Sequence, residues 1–359
     1  MRRHGRRMDR TGDRARDDDF ALRCCHSWIR YPGGRTMKAI ILGILLGLAL
    51  PAAAERAASI DYEFVPRPAG LPTEYDGPGL RFLAITAIDG ARVDAALWQP
   101  PNAKTLVLMV HGSGETYHGN PNGFLGKGLA ERGYAVLAIN TRQSGPRVNT
   151  DNFMDVRRDL EAAFYTARAL GYKSIVLHGH SLGNIQVQYY AANNWQPEIK
   201  AVVLTGMFGN LPWKSRHILV QDEQNWAALF GAAMTQLREG KAAEVMPVQM
   251  SWITGQKVPM TAQHFLTYRW ENSSAADGTY WIRRVPYPIL MVRDDGDAIV
   301  QAFEPYMLLS AASTSGSLVP GIEYVKLPNK ERGPAEHGFI HNRQQLIETV
   351  AGWLKEQNL

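Results

Sequence analysis

From Leu80 onward the chain alternates between short apolar runs and longer stretches in which apolar residues recur every third or fourth position. Leu80 to Ile88 and Arg92 to Trp98 flank Asp89-Gly90, a pair suited to a tight turn, and so predict a strand hairpin. TLVLMV (105–110) is apolar throughout, as expected of a strand buried on both faces of a parallel sheet. AVLAIN (135–140), SIVLHG (174–179) and AVVLTG (201–206) follow, with helical patterns near 122–132 and 154–170 and from about 182. Strand and helix alternating at this spacing predict right-handed crossovers and an α/β fold built on a doubly wound, mostly parallel sheet.

The rhythm stops at Met207. Between there and Arg284 no buried strand is evident; Trp213, Trp226, Trp252, Trp270 and Trp281 are spread through helix-like polar stretches with Met234, Met246, Met250 and Met260. ILMVR (289–293) and IEYVKL (322–327) resume the sheet, and Asn342 to Gln357 make a last amphipathic helix. This predicts a core formed by 55–206 and 285–359, interrupted after the sixth strand by a helical insertion, 207–284. The proline-rich stretch 60–79 reads as an extended lead-in.

Upstream the chain has a different character. Met37-Lys38, the twelve-residue apolar run AIILGILLGLAL and the small residues Ala52-Ala53-Ala54 predict a secretory signal peptide over 37–54, with cleavage before Glu55 and a periplasmic or secreted product. The run falls short of the roughly 20 residues of a spanning helix, so no stable membrane span is expected after cleavage. Residues 1–36 hold ten Arg and five Asp ahead of a complete signal, which suggests that translation starts at Met37. With that end removed, residues 55–359 carry 28 basic against 29 acidic side chains, a balance that does not suit nucleic acid. Both cysteines, Cys24 and Cys25, lie upstream, so the body has no disulfide and no cysteine metal site.

The sharpest chemical feature is Gly179-His180-Ser181-Leu182-Gly183, G-x-S-x-G placed directly after a strand and before a helix. A nucleophile raised on so tight a turn needs neighbours without side chains, and the turn aims a helix N-terminus and the Leu182 amide at a developing oxyanion. A glycine-rich turn with an incidental serine is the plainer alternative.

With this motif the chain resembles the α/β-hydrolase superfamily over about residues 80–359, as a serine esterase or lipase-like member with an inserted cap. The resemblance implies a second oxyanion donor in the Ser113 amide, since TLVLMV runs into His111-Gly112-Ser113-Gly114. It implies an acid after ILMVR, three residues before a valine, which selects Asp297 with Val300; Asp294 stands where many relatives have glycine, and Asp294 and Asp295 remain alternatives. It implies a base in the loop before the last helix, where His337 in Glu336-His337-Gly338 fits better than His341. Ser181, Asp297 and His337 would then form the triad, acting through an acyl-enzyme without metal or organic cofactor. The ten histidines show no H-E-x-x-H spacing. The insertion occupies the place of a cap, and Trp213, Trp226, Phe230 and Trp252 are expected to wall a pocket for small or medium hydrophobic esters, unless those aromatics form only the insertion's own core. An amide, thioester or lactone would suit the same triad, and a non-catalytic binding protein is the reading from another class.

Overall fold

The computed structural model describes residues 61–359, so the leader and the upstream segment lie outside the described residues. Eleven strands form among them: β1 (Asp61–Val65), β2 (Arg81–Thr86), β3 (Arg92–Trp98), β4 (Thr105–Val110), β5 (Ala135–Ile139), β6 (Ser174–His180), β7 (Ile199–Thr205), β8 (Met250–Ser251), β9 (Lys257–Val258), β10 (Ile289–Asp294) and β11 (Ile322–Leu327). Nine make one sheet in the order β1-β2-β3-β5-β4-β6-β7-β10-β11. From β5 to β11 neighbours run parallel, while β1, β2 and β3 add an antiparallel margin.

The unbroken apolar runs follow from this placement, because a strand covered on both faces needs apolar side chains at every position. In β4, Leu106, Leu108 and Val110 enter one hydrophobic core while Val107 and Met109 enter the other. The first core is closed by α2 (Val156–Ala169), through Leu160 and Phe164, and by α3 (Leu182–Asn193), through Ile185 and Tyr190. The second is closed by α1 (Asn122–Ala130) and the last helix, Arg343–Glu356, whose Leu346, Val350 and Trp353 face Leu125 and Leu129. By area bookkeeping, full burial of each such side chain contributes roughly 1.5–3 kcal/mol before the entropy of ordering it is charged.

Two elements were not legible in the pattern. β1 is an edge strand with mostly exposed side chains, so it carries no hydrophobic signal. It makes the insertion follow the seventh strand, where six were expected. Glu304–Ala312 forms a helix between β10 and β11 that the sequence reading left unassigned.

The segment after β7 contains α4 (Leu211–Lys214), α5 (Glu223–Arg238), the β8–β9 ribbon, α6 (Ala262–His264) and α7 (Gly278–Ile282), with π-helical turns at Ser215–Leu219 and Phe265–Arg269. Its middle has its own core, in which Val220, Trp226, Leu229, Met246, Met260 and Phe265 are buried. Its two ends belong to the main core, through Met207, Phe208 and Leu211 on one side and Ala276, Trp281 and Ile282 on the other.

A polar seam joins this segment to the loop after β5. The Thr261 amide donates to Asn149 O (3.1 Å) and its hydroxyl to Thr150 O (2.9 Å), while Gln263 Nε2 donates to Thr150 O (2.7 Å). At the centre, Tyr268 OH donates to Asp151 Oδ2 (2.8 Å), His264 Nδ1 lies 3.6 Å from Asp151 Oδ1, and the His264 and Tyr268 rings stack at 4.1 Å. Burial pushes the Asp151 carboxyl up to about 7, against the lowering effects of Tyr268, Arg142 and Arg147, and burial also keeps His264 neutral.

A group whose pKa rises on folding contributes stability in its protonated form and loses it as pH climbs from the unfolded pKa through the folded one. Asp151 should therefore cost stability progressively from pH about 4 to about 7. Asp151→Asn is expected to flatten that part of a melting-temperature profile. Parallel profiles for variant and wild type would remove Asp151 from the pH response of the seam.

Candidate active site

Ser181 stands between β6 and α3 in a left-handed backbone conformation, φ 52° and ψ −119°. A non-glycine residue held there costs on the order of 1–3 kcal/mol, which surrounding packing must supply. The glycines of the motif show how. A Cβ on Gly179 would sit 2.4 Å from Gly183 O, and one on Gly183 would sit 2.5 Å from Val110 O and 2.7 Å from His111 O. Strand, helix and the end of β4 are thus pressed together beneath the serine. The Ser181 amide is fixed by Thr205 O at 3.0 Å, and the residue keeps partial exposure.

His337 and Asp297 arrive from the two loops at the far end of the sheet. His337 Nδ1 bonds Asp297 Oδ2 at 2.8 Å, and Asp297 Oδ1 accepts from the amides of Ile299 (2.7 Å) and Val300 (3.1 Å). Burial pushes the Asp297 carboxyl up, but the hydrogen bond and charge of His337 and the two amides outweigh it and hold it below the usual carboxylate range. An ionised carboxylate makes Nδ1 the protonated nitrogen of His337 and leaves Nε2 as the lone pair, by assignment from the hydrogen-bond network. Nε2 is buried and has no hydrogen-bond partner among the described residues. The His180 ring, 4.8 Å away, is kept neutral by burial.

The competing acids have other tasks. Asp294 is fully buried and receives the Gly296 amide (2.8 Å), Asn329 Nδ2 (3.0 Å) and Asn342 Nδ2 (2.9 Å), so it ties the acid loop to the loop carrying His337. Asp295 pairs with Arg293 at 3.2 Å. His341 is exposed and bonds Glu336.

The oxyanion side is set by His111. The Thr141 amide donates to its Nε2 (3.0 Å), so Nδ1 carries the proton and donates to Gly112 O (2.6 Å). Burial holds this imidazole down at about 4, consistent with a neutral ring. The bond fixes the loop that bears Ser113, whose amide takes no backbone partner; Leu182, the first residue of α3, likewise has an amide with no partner inside its helix.

Of the four aromatics expected to line a pocket, three pack elsewhere. Trp226 is buried between Phe265 and Trp270, Phe230 stacks on Trp270 at 4.1 Å, and Trp252 Nε1 points at Met250 Sδ (3.3 Å), all within the insertion's own core. Their periodicity reflected that core, the commoner meaning of aromatic stripes. Trp213 alone flanks the acid loop, edge-on to Phe303 at 5.8 Å.

Three residues near the centre escaped the sequence reading. Lys214 and Glu304 form a buried ion pair at 2.6 Å, and Lys214 Nζ also donates to Ile299 O (2.8 Å), within the turn that holds Asp297. Glu115 turns its carboxylate back to the Gly112 amide (3.2 Å). A charged residue in a glycine-rich loop directly after a buried strand was the available signal for Glu115; no sequence signal pairs Lys214 with Glu304.

A family profile described as "alpha/beta hydrolase fold" matches residues 105–315. Among solved structures, Est1E from Butyrivibrio proteoclasticus with bound ferulic acid superposes with a TM-score of 0.56 at 18% identity, covering 75% of this chain and 96% of the other. A thermostable carboxyl esterase from Bacillus coagulans in complex with glycerol gives 0.55 at 16%, covering 78% and 99%. The α/β hydrolase GrgF from Penicillium sp. sh18 gives 0.56 at 14%, covering 78% and 99%. No curated protein matches the chain.

The two aspartates should separate by experiment. Asp297→Asn is expected to leave melting unchanged but to slow acylation of Ser181 by a fluorophosphonate roughly 10³-fold or more, because the imidazole loses its tautomer. Asp294→Asn should lower the melting temperature by several degrees through lost charge-assisted bonds, with smaller effect on labelling. The reverse pattern would exchange their roles.

Proposed function

Since the chain belongs to the α/β-hydrolase fold family, we propose that it is a serine hydrolase that cleaves carboxylic esters of small or medium hydrophobic character through an acyl-enzyme. The observation that carries this reading is the His337–Asp297 bond at 2.8 Å, made across two loops of the sheet end that presents Ser181 in its left-handed turn. In this reading His337 Nε2 takes the Ser181 proton, Oγ attacks the ester carbonyl, and the Ser113 and Leu182 amides receive the oxyanion. His337 then passes the proton to the departing alcohol. Water, activated by the same nitrogen, frees the acid and restores the serine. Asp297 stays ionised throughout and stabilises the imidazolium. Two of the similar folds are named esterases, one holding ferulic acid, which supports ester chemistry by analogy of fold.

In the same reading the insertion caps the site, and Trp213 with Phe303 forms the apolar wall that limits chain length. Each CH₂ buried there strengthens binding by about 0.8 kcal/mol until the space is filled. Among the described residues no helix is long and apolar enough to cross a membrane, and the leader supports export to the periplasm or beyond.

Fluorophosphonate labelling followed by peptide mapping should mark Ser181, and Ser181→Ala or His337→Ala should abolish both labelling and hydrolysis of nitrophenyl esters. In an acyl series, Trp213→Ala should shift the preferred length, whereas Trp226→Ala should chiefly lower the melting temperature. Full activity in Ser181→Ala would sink the assignment. Sequencing the N-terminus of the exported protein should find Glu55 or a close neighbour; intact residues 1–54 on membrane-bound protein would favour an uncleaved anchor.

A further inference from the structure

Glu115 lies in the centre just described yet has no task in the triad. Its Oε2 and the Ser181 Cβ each lie 3.0 Å from the point where a Cβ on Gly112 would stand, so carboxylate and nucleophile share one wall. The loop is held on every side: the Glu115 amide donates to Gly112 O (3.3 Å), the Gly114 amide to Gln143 O (3.1 Å), and the Gly145 amide to Gly114 O (3.2 Å).

The carboxylate itself is poorly compensated. Oε2 accepts the Gly112 amide, and among the described residues neither oxygen has an ion-pair partner while Oε1 has no hydrogen bond. The residue is partly exposed. Burial pushes its carboxyl up, opposed by His337 and the Gly112 amide. An ionised oxygen beside Ser181 repels a developing oxyanion unless the substrate brings a compensating donor. A donor placed there gains a charge-assisted hydrogen bond, among the stronger kinds.

We propose that Glu115 is a specificity-determining residue, and that through it the site selects esters carrying a hydroxyl or ammonium donor close to the scissile carbonyl. This rests on the serine-hydrolase reading and adds the substrate class to it.

The test compares matched pairs: ethyl 3-hydroxybutyrate against ethyl butyrate for the hydroxyl, and β-alanine ethyl ester against ethyl propionate for the ammonium. Wild type should prefer the donor-bearing member by roughly ten- to hundredfold in kcat/KM. Glu115→Gln and Glu115→Ala should lose most of that preference while hydrolysing the plain ester several-fold faster, since the repulsion is gone. Glutamine keeps a neutral acceptor, so a hydroxyl preference that survives partly in Glu115→Gln while the ammonium preference vanishes identifies the charge as the selector of the cation. A preference unchanged in both variants, no preference in wild type, or an equal loss on both members of each pair overturns the proposal; the last outcome marks a merely structural side chain. Labelling of Ser181 by the fluorophosphonate is measured in parallel. Labelled wild type without donor preference refutes the role of Glu115 alone, whereas unlabelled wild type removes the serine-hydrolase reading on which it stands.

Discussion

The close approach of β6, α3 and the end of β4 governs the rest of this structure. Backbone atoms occupy the space that side chains at 179 and 183 would need, and that contact helps to keep Ser181 at positive φ. The same pressure sets the oxyanion loop, because Gly183 abuts the carbonyls of Val110 and His111, the residues from which the loop departs. On the other flank, a Cβ at Gly206 would meet His180 and His337 at 2.8 and 3.0 Å, so the base is packed against the strand next to the nucleophile. Ser181, the loop after β4 and His337 are therefore referred to one rigid joint, so their relative placement is set by the sheet.

The middle of the sheet was legible because its strands obey a single rule: covered on both faces, they are apolar at nearly every position. That rule placed β4, β5, β6, β7 and β10 within a residue or two. It could not place β1, whose pattern is that of an edge, nor the helix Glu304–Ala312, which lies in a stretch with no marked alternation. Ser181, Asp297 and His337 were singled out by local motifs tied to strand ends, and the structure joins Asp297 and His337 at 2.8 Å. Glu115 was not, because a single acid in a loop has no periodicity and its meaning depends on which backbone folds around it. The aromatics of the insertion misled for a related reason. Periodic tryptophans state that something is packed, not what it is packed against, and Trp226 and Phe230 pack against Trp270.

Buried charge in the body is mostly answered. Arg142 meets Asp159 at 2.7 Å and Asp89 at 3.0 Å, Lys214 meets Glu304, and Asp297 is held by a ring and two amides. Removing one member of such a pair leaves the other desolvated and alone, which costs more than the pair contributes. Among the described residues, buried polar atoms without a partner include Asp151 Oδ1, both ring nitrogens of His264, both polar atoms of Gln186 and His337 Nε2 at the seam and the centre, and others at Asn122, Glu198, Gln236 and Tyr324.

The Lys214–Glu304 pair has a mechanical side. Lys214 belongs to the first helix of the insertion, Glu304 to the helix behind the acid loop, and the ammonium also grips Ile299 O, in the same peptide group as the Val300 amide that donates to Asp297. A swing of the insertion about this stem must either pull a bare ammonium away from its carboxylate inside the protein or carry the acid loop along with it. The first is steeply uphill, so the stem behaves as a crank rather than a free hinge. Insertion and acid loop are thereby tied at one buried point, so a displacement of either is felt at the turn that holds Asp297.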